Sequence, residues 1–117
     1  MRGPARVEQF AGELNGWSVA PSGGQRALHD EYHQLLEREP SSLSREREQG
    51  HFTASALMID PLRANVLLVM HPRVKRWLQM GGHIEPGDIS FRDAALRECI
   101  EESGYREIEV QSMPARF

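Results

Sequence analysis

Glu98, Glu101 and Glu102 stand at i, i+3 and i+4, with Arg97 immediately before the first of them. On a helix each residue advances about 100°, so the three carboxylates would share one narrow face. Like charges at that spacing repel by about 0.2–0.5 kcal/mol per pair. Such a cluster is either left to water or used to hold cations. Three oxygen donors suit a hard divalent ion such as Mg²⁺ or Mn²⁺, and such ions neutralise phosphate charge and activate water. Upstream lie Gly81 and Gly82, which carry no side chain and let a backbone carbonyl or amide approach a metal or phosphate closely. Arg97 would sit about a quarter turn from Glu98. Its planar, always charged guanidinium suits a carboxylate or phosphate partner.

These residues need elements to position them. Ser90 and Asp93 form S-x-x-D, close to a capping box, so a helix should begin there. Gly104 stands where a left-handed turn should end it. Ala95, Leu96, Cys99, Ile100 and Ser103 are expected to face the core, and the carboxylates to cover the opposite arc over Ala94. Before the helix the pattern alternates. HFTASALMID over 51–60 reads as a strand with Phe52, Ala54, Ala56 and Met58 on one face. Val66–Met70 is a continuous apolar run, typical of a buried strand. His71–Arg76 is a basic loop, and a third strand over 77–80 should run into a double-glycine loop. Ile108 and Val110 suggest the start of a fourth strand.

The N-terminal part is different. Val7, Phe10, Ala11 and Leu14 recur at helical spacing over 5–15, and Leu28, Tyr32, Leu35 and Leu36 do so over 25–39. Pro21-Ser22-Gly23-Gly24 breaks the two. The second helix should end before Pro40, and the charged stretch 41–50 reads as a linker. The expected organisation is a helical extension with linker over 1–50 and a main domain over 51–117.

The spacing Gly82-x5-Asp88, then Arg97-Glu98-Cys99-Ile100-Glu101-Glu102-Ser103-Gly104-Tyr105, resembles the Nudix box, G-x5-E-x7-R-E-U-x-E-E-x-G-U with U bulky and apolar. The lead-in Trp77-Leu78-x-x-Gly81-Gly82-x-x-Glu85-x-Gly87 is similar too. Two positions depart from the pattern: Asp88 replaces the first glutamate, and the gap to Arg97 is one residue longer. The resemblance implies an α/β fold, a Nudix α/β/α sandwich with a mixed sheet. It also implies metal-dependent hydrolysis of a nucleoside diphosphate linked to another moiety. Carried over by position, Glu98, Glu101, Glu102 and the Gly81 carbonyl would bind Mg²⁺ or Mn²⁺. Arg97 would orient Glu98, and Glu98 is a candidate base, so the catalytic set is Glu98, Arg97 and Glu101. Arg76 and His83 are candidates for substrate phosphates. The Nudix sheet normally continues past the box, so a domain incomplete at its C-terminus is expected. About 67 residues from His51 onward make a marginal core, and an apolar patch involving Val66, Leu68, Ile100 or Ile108 should remain exposed unless the N-terminal helices cover it. The alternative, from another class, is a non-catalytic module that binds a nucleotide or an ADP-ribose-like ligand, or an inactive fragment.

Other features carry blander readings. His29 and His33 are spaced like a zinc pair but lack the glutamate and third ligand of that pattern. Gly82-x4-Gly87-Asp88 lacks the Lys-Ser/Thr of a phosphate loop. Trp77 is expected to pack beside the glycines rather than stack on a base, and Cys99 to be a core thiol. The 117 residues are 39% hydrophobic and 26% charged with a formal net charge of −3, which gives no argument for nucleic acid. A single cysteine excludes an internal disulfide and fits a reducing compartment, the cytoplasm being the default. The longest aliphatic run, Val66–Met70, is far too short to span a bilayer. The resemblance implies a small-molecule nucleoside diphosphate derivative as partner; no membrane and no nucleic acid are expected, and a homodimer stays open.

Overall fold

The computed structural model describes residues 3–17, 23–62 and 64–111. Among the described residues three helices form: α1 (Gly3–Gly16), α2 (Gly24–Arg38) and α3 (Phe91–Ser103), with a 3-10 turn at Pro40–Leu43. The strands are β1 (Thr53–Ala56), β2 (Met58–Ile59), β3 (Val66–Leu67), β4 (Val69–Met70), β5 (Trp77–Leu78) and β6 (Met80–His83). The architecture is α/β, as the resemblance implies. Part of the breaker, Pro21-Ser22, lies outside the described residues.

The three predicted strands are each broken in two. Leu57, Leu68 and Gln79 interrupt them, and the halves pair with different partners. β1 pairs with β6, β2 with β3 and β4 with β5, all antiparallel. Each strand therefore bends and serves both of its neighbours, which a strict period-2 reading does not foresee. Gly81 and Gly82 are not a loop: they lie inside β6, opposite Ser55 and Ala54. The expected fourth strand does not form over 108–111, where the chain is irregular.

Helix α3 starts and stops as its sequence directs. The Ser90 side chain accepts from Asp93 N–H at 2.9 Å, and Gly104 adopts φ 79 with its N–H donating to the Ile100 carbonyl. The reciprocal bond falls one residue earlier, from Ile89 N–H to Asp93 Oδ2. The faces of the helix differ from expectation. Ala94 is fully buried, as is Cys99, whereas Leu96 and Ile100 are only half-buried. The reason is the small residues opposite. Ala54 and Gly82 form a cross-strand pair, and α3 lays its Ala94–Glu98 line against them.

Phe10 and Leu14 of α1, Leu36 of α2, Leu43, Phe52, Ala54, Ile84 and Ala94 make one cluster. Burying each large apolar side chain contributes about 1.5–3 kcal/mol. Phe91 is the hinge of this core, meeting Phe10 edge-on at 4.8 Å and Phe52 at 5.3 Å. The stretch expected to be a linker is packed: Ser42 and Leu43 are buried, and the Ser42 carbonyl accepts from Phe52 N–H at 2.7 Å. His29 and His33 join α1 to α2, donating to the Leu14 carbonyl and to Asn15 Oδ1.

The N-terminal helices cover only this side. Val66 is 52% exposed on the β2–β3 pair, together with Leu57, Ile59 and Leu67, whereas Leu68, Ile100 and Ile108 are half-buried. Trp77 is 64% exposed and does not pack beside the glycines. No described helix is long and apolar enough to cross a membrane.

Candidate metal and diphosphate site

The site is organised by Arg97. Its Nε and Nη2 donate to the two carboxylate oxygens of Asp88, each at 3.0 Å. Nη2 also donates to the His83 carbonyl at 3.0 Å, and Nη1 to Glu98 Oε1 at 3.0 Å. Glu101 Oε2 and Glu85 Oε1 lie 3.3 Å from Nη1. One guanidinium thus ties strand β6, the loop over 84–88 and helix α3 together. The fork geometry of arginine allows this, because a two-pronged bond to one carboxylate leaves further N–H groups for others.

Asp88, the departure from the box pattern, is the anchor. Its side chain is 4% exposed. Besides Arg97 it accepts from Glu85 N–H at 2.8 Å, while its own N–H donates to the Glu85 carbonyl. Burial alone would push this carboxyl up. The bonds from Arg97 and Glu85 and the nearby Arg97 and Arg6 charges outweigh it and hold Asp88 below the usual carboxylate range. The partners of Arg97, Asp88 first, push the guanidinium the other way, so it stays charged.

Glu98 reaches toward β6. A Cβ added to Gly82 would stand 2.7 Å from Glu98 Oε1 and 2.9 Å from its Cδ. The missing side chain is therefore the space the carboxylate occupies. Gly81 points to the other face of the strand, where a Cβ would meet Ser55 Cβ and stand 2.7 Å from the Ala54 carbonyl. Glu102 and Gly81 share the wall of an open groove of about 380 Å³, continued by Val69, Met70, His71, Leu78 and Gln79.

The expected site residues fall into three groups. Arg97, Glu98 and Glu101 are brought into contact, and Glu102 lies on the groove beside Gly81. His83 follows on β6, but its ring Nδ1 bonds His51 Nε2 at 3.1 Å. Burial, with Arg45 and His51 beside it, lowers the His83 pKa, against the opposing pull of Glu98. Arg76 is exposed in the basic turn, where its carbonyl accepts from His71 N–H, and it does not line the groove. Cys99 is buried with its thiol pushed up by burial and then by Glu102 and Glu98, as a core thiol should be.

Three residues were not singled out from the sequence. His51 bonds His83. Arg6 donates to the Asp88 and Glu85 carbonyls at 2.9 and 2.8 Å. Glu13 accepts from the Phe91 and Arg92 N–H groups at the start of α3. One signal was available for the last two. Arg6, Phe10 and Glu13 lie at i, i+4 and i+7, so charges of both signs flank the apolar stripe of α1 on its inward side.

Glu98, Glu102 and the Gly81 carbonyl are all oxygen donors, which matches a hard cation. The three atoms nearest the room beside Gly82 all belong to the Glu98 carboxylate. Among the described residues, however, no three His, Cys, Asp or Glu side chains converge as they would on a metal ion. The donors suit such an ion in kind, and Arg97 Nη1 holds both Glu98 and Glu101.

The pH dependence follows from Asp88. Its folded pKa lies below its ordinary 3.8, so its ion pair adds stability at all pH values above the ordinary one. That contribution is lost as pH falls through the folded value. Glu13 acts with the opposite sign: burial raises its pKa, so its contribution declines as pH rises from 4.5 toward the raised value. Acid unfolding curves should separate the two. Asp88→Asn is expected to flatten the acid side, and Glu13→Gln to remove a small decline just above it. An unchanged acid limb in Asp88→Asn would contradict this assignment.

The model of the NUDIX domain matches residues 50–115. No curated relative and no solved structure matches the chain. The match spans more than half of the sequence, and it contains the glycine strand, the Asp88 loop and the Arg97–Glu98 helix just described. The chain belongs to the Nudix family, which makes it a hydrolase of the Nudix type in general.

Proposed function

We propose that the chain hydrolyses the diphosphate bond of a nucleoside diphosphate linked to another moiety, with Mg²⁺ or Mn²⁺. The observation that carries this reading is the Arg97 network, which presents Glu98 at Gly82 while a groove opens beside Gly81 and Glu102. Glu98, Glu101, Glu102 and the Gly81 carbonyl would hold the ion. When bound, the ion would supply charge neutralisation at the diphosphate and a more acidic water. The chain's own residues do the rest. Arg97 fixes the Glu98 carboxylate, and Glu98 accepts the proton of the attacking water. The groove over Val69, Met70 and Leu78 takes the less polar end of the substrate. Arg76, exposed on the basic turn, and His83 are the cations proposed to meet phosphate. A reducing compartment such as the cytoplasm suits the single buried thiol. Residues 1–50 would be an extension to a Nudix domain over 51–117.

The test is release of a monophosphate from a panel of nucleoside diphosphate derivatives with Mg²⁺. Glu98→Gln is expected to slow turnover by about 10²–10⁴-fold, as loss of a positioned base does, and Glu102→Gln to weaken dependence on the ion. Unchanged rates in both variants would end the catalytic reading. Saturable ligand binding without turnover by the unaltered chain would replace it with a binding module. That outcome has one observation in its favour: among the described residues no three acidic, His or Cys side chains converge as they would on an ion.

A further inference from the structure

Helix α1 lies outside the residues matched by the family, yet its polar side chains end on the box. Arg6 reaches the loop between β6 and α3, where it donates to the carbonyls of Glu85 and Asp88. Its guanidinium also lies 5.1 Å from the centroid of the Phe10 ring. One turn further on, Glu13 takes both N–H groups at the start of α3. Those N–H groups have no partner within the helix itself, and a carboxylate there is favoured by the helix dipole. Ser90 takes the next one, Asp93 N–H.

The two contacts flank one lever. The loop that Arg6 holds carries Asp88, which takes two bonds from Arg97, and Arg97 holds Glu98. The helix that Glu13 caps carries both Arg97 and Glu98. An apolar cover for the core would need only Phe10 and Leu14. Arg6 and Glu13 add directional bonds to backbone groups that set where the carboxylates stand. We propose that Arg6 and Glu13 are positioning residues: α1 braces the loop and helix of the site, and thereby sets the placement of Arg97 and Glu98. The consequence for a bound ion rests on the metal reading above, and the effect on Arg97 does not.

The test uses the whole chain carrying Arg6→Ala, Arg6→Lys or Glu13→Gln. The first reporter is solvent exchange of the Arg97 Nε–H, followed by ¹H–¹⁵N spectroscopy, because that proton is bonded to Asp88. Its exchange is expected to quicken about ten-fold in Arg6→Ala, in line with loss of a charge-assisted bond, while the core amides of Leu36 and Phe52 stay as they were. Lysine is a point charge and serves one carbonyl at a time, so Arg6→Lys should fall between. The second reporter is affinity for Mn²⁺ alone, read from the spin signal of the free ion, with an expected loss of about ten-fold in Arg6→Ala. Unchanged Arg97 exchange overturns the proposal, as does a rise shared equally by Leu36 and Phe52. Faster Arg97 exchange with unchanged Mn²⁺ affinity overturns it too. If the unaltered chain takes up no Mn²⁺, the metal reading falls and the Arg97 exchange alone decides on the brace. Should Arg6→Ala fail to fold, Arg6→Lys and Glu13→Gln decide in the same way.

Discussion

Arg97→Ala is expected to destabilise the chain by about 3–5 kcal/mol, the range for breaking a buried ion pair from one side. The size follows from what would be left behind. The Asp88 side chain is 4% exposed, and Arg97 supplies two of its bonds. Removing the guanidinium leaves a largely buried carboxylate with the single Glu85 N–H. The His83 carbonyl and Glu98 lose a donor as well. A comparison pair exists in the same chain. Arg26 and Asp30 are 44% and 50% exposed at i, i+4, and such surface pairs contribute about 0–1 kcal/mol. Burial, and not the number of charges, is the difference. Two further variants separate pairing from packing. Asp88→Asn keeps the size and removes the charge, so it should cost less than Arg97→Ala. Adding Asp88→Asn to Arg97→Ala should recover part of the loss, because no buried charge then lacks its partner. Urea unfolding of the four proteins measures this. A loss near that of the Arg26 pair, or strict additivity in the double variant, would show that the network is solvated and that Asp88 is not its anchor.

Much of this site was legible before the structure, and the reason is local. A helix start at Ser90, a stop at Gly104 and three carboxylates at i, i+3 and i+4 are all properties of one short segment, where spacing fixes geometry. What could not be read depended on the other side of a contact. Ala94 looked like the floor of a solvated face. It is buried because Gly82, the partner of Ala54 across the strands, leaves room for α3 to approach. The glycines read as a loop, since nothing in a Gly-Gly pair announces that both will be strand residues facing opposite ways. The broken strands share this cause: Leu57, Leu68 and Gln79 are ordinary strand residues, and the bends arise from pairing with two neighbours at once. Arg6 and Glu13 are the plainest case. Periodicity places them on the inward side of α1, but their partners lie most of the chain away, and it does not say which distant groups they meet. Trp77 shows the reverse case: the expected packing beside the glycines does not form, because Trp77 lies in β5 opposite Met70, in a pair open to solvent.

The two glycines should answer differently to one added methyl group, and that difference separates scaffold from site. In Gly81→Ala the new Cβ would meet Ser55 Cβ and stand 2.7 Å from both the Ala54 carbonyl oxygen and Ser55 Cα. These atoms belong to the paired strand or sit directly on it, so no rotamer relieves the overlap. β1 and β6 would have to part, at about 1–3 kcal/mol for overpacking of this kind. In Gly82→Ala the obstacle is the Glu98 carboxylate at 2.7–3.1 Å, the far end of a flexible side chain. That group can swing away at little cost to the fold. It would then leave Arg97 Nη1 and the place it holds over β6. Displacing a reacting group by about 1 Å costs roughly 10²-fold in rate. Gly81→Ala is therefore expected to lower the melting temperature clearly, and Gly82→Ala to leave it within a few degrees while turnover falls by about two orders of magnitude. Thermal melts beside rate measurements on both variants decide the matter. If Gly82→Ala melts as low as Gly81→Ala, the carboxylate is packed as a structural group. If it melts normally and turns over normally, Glu98 does its work from somewhere other than the place beside Gly82.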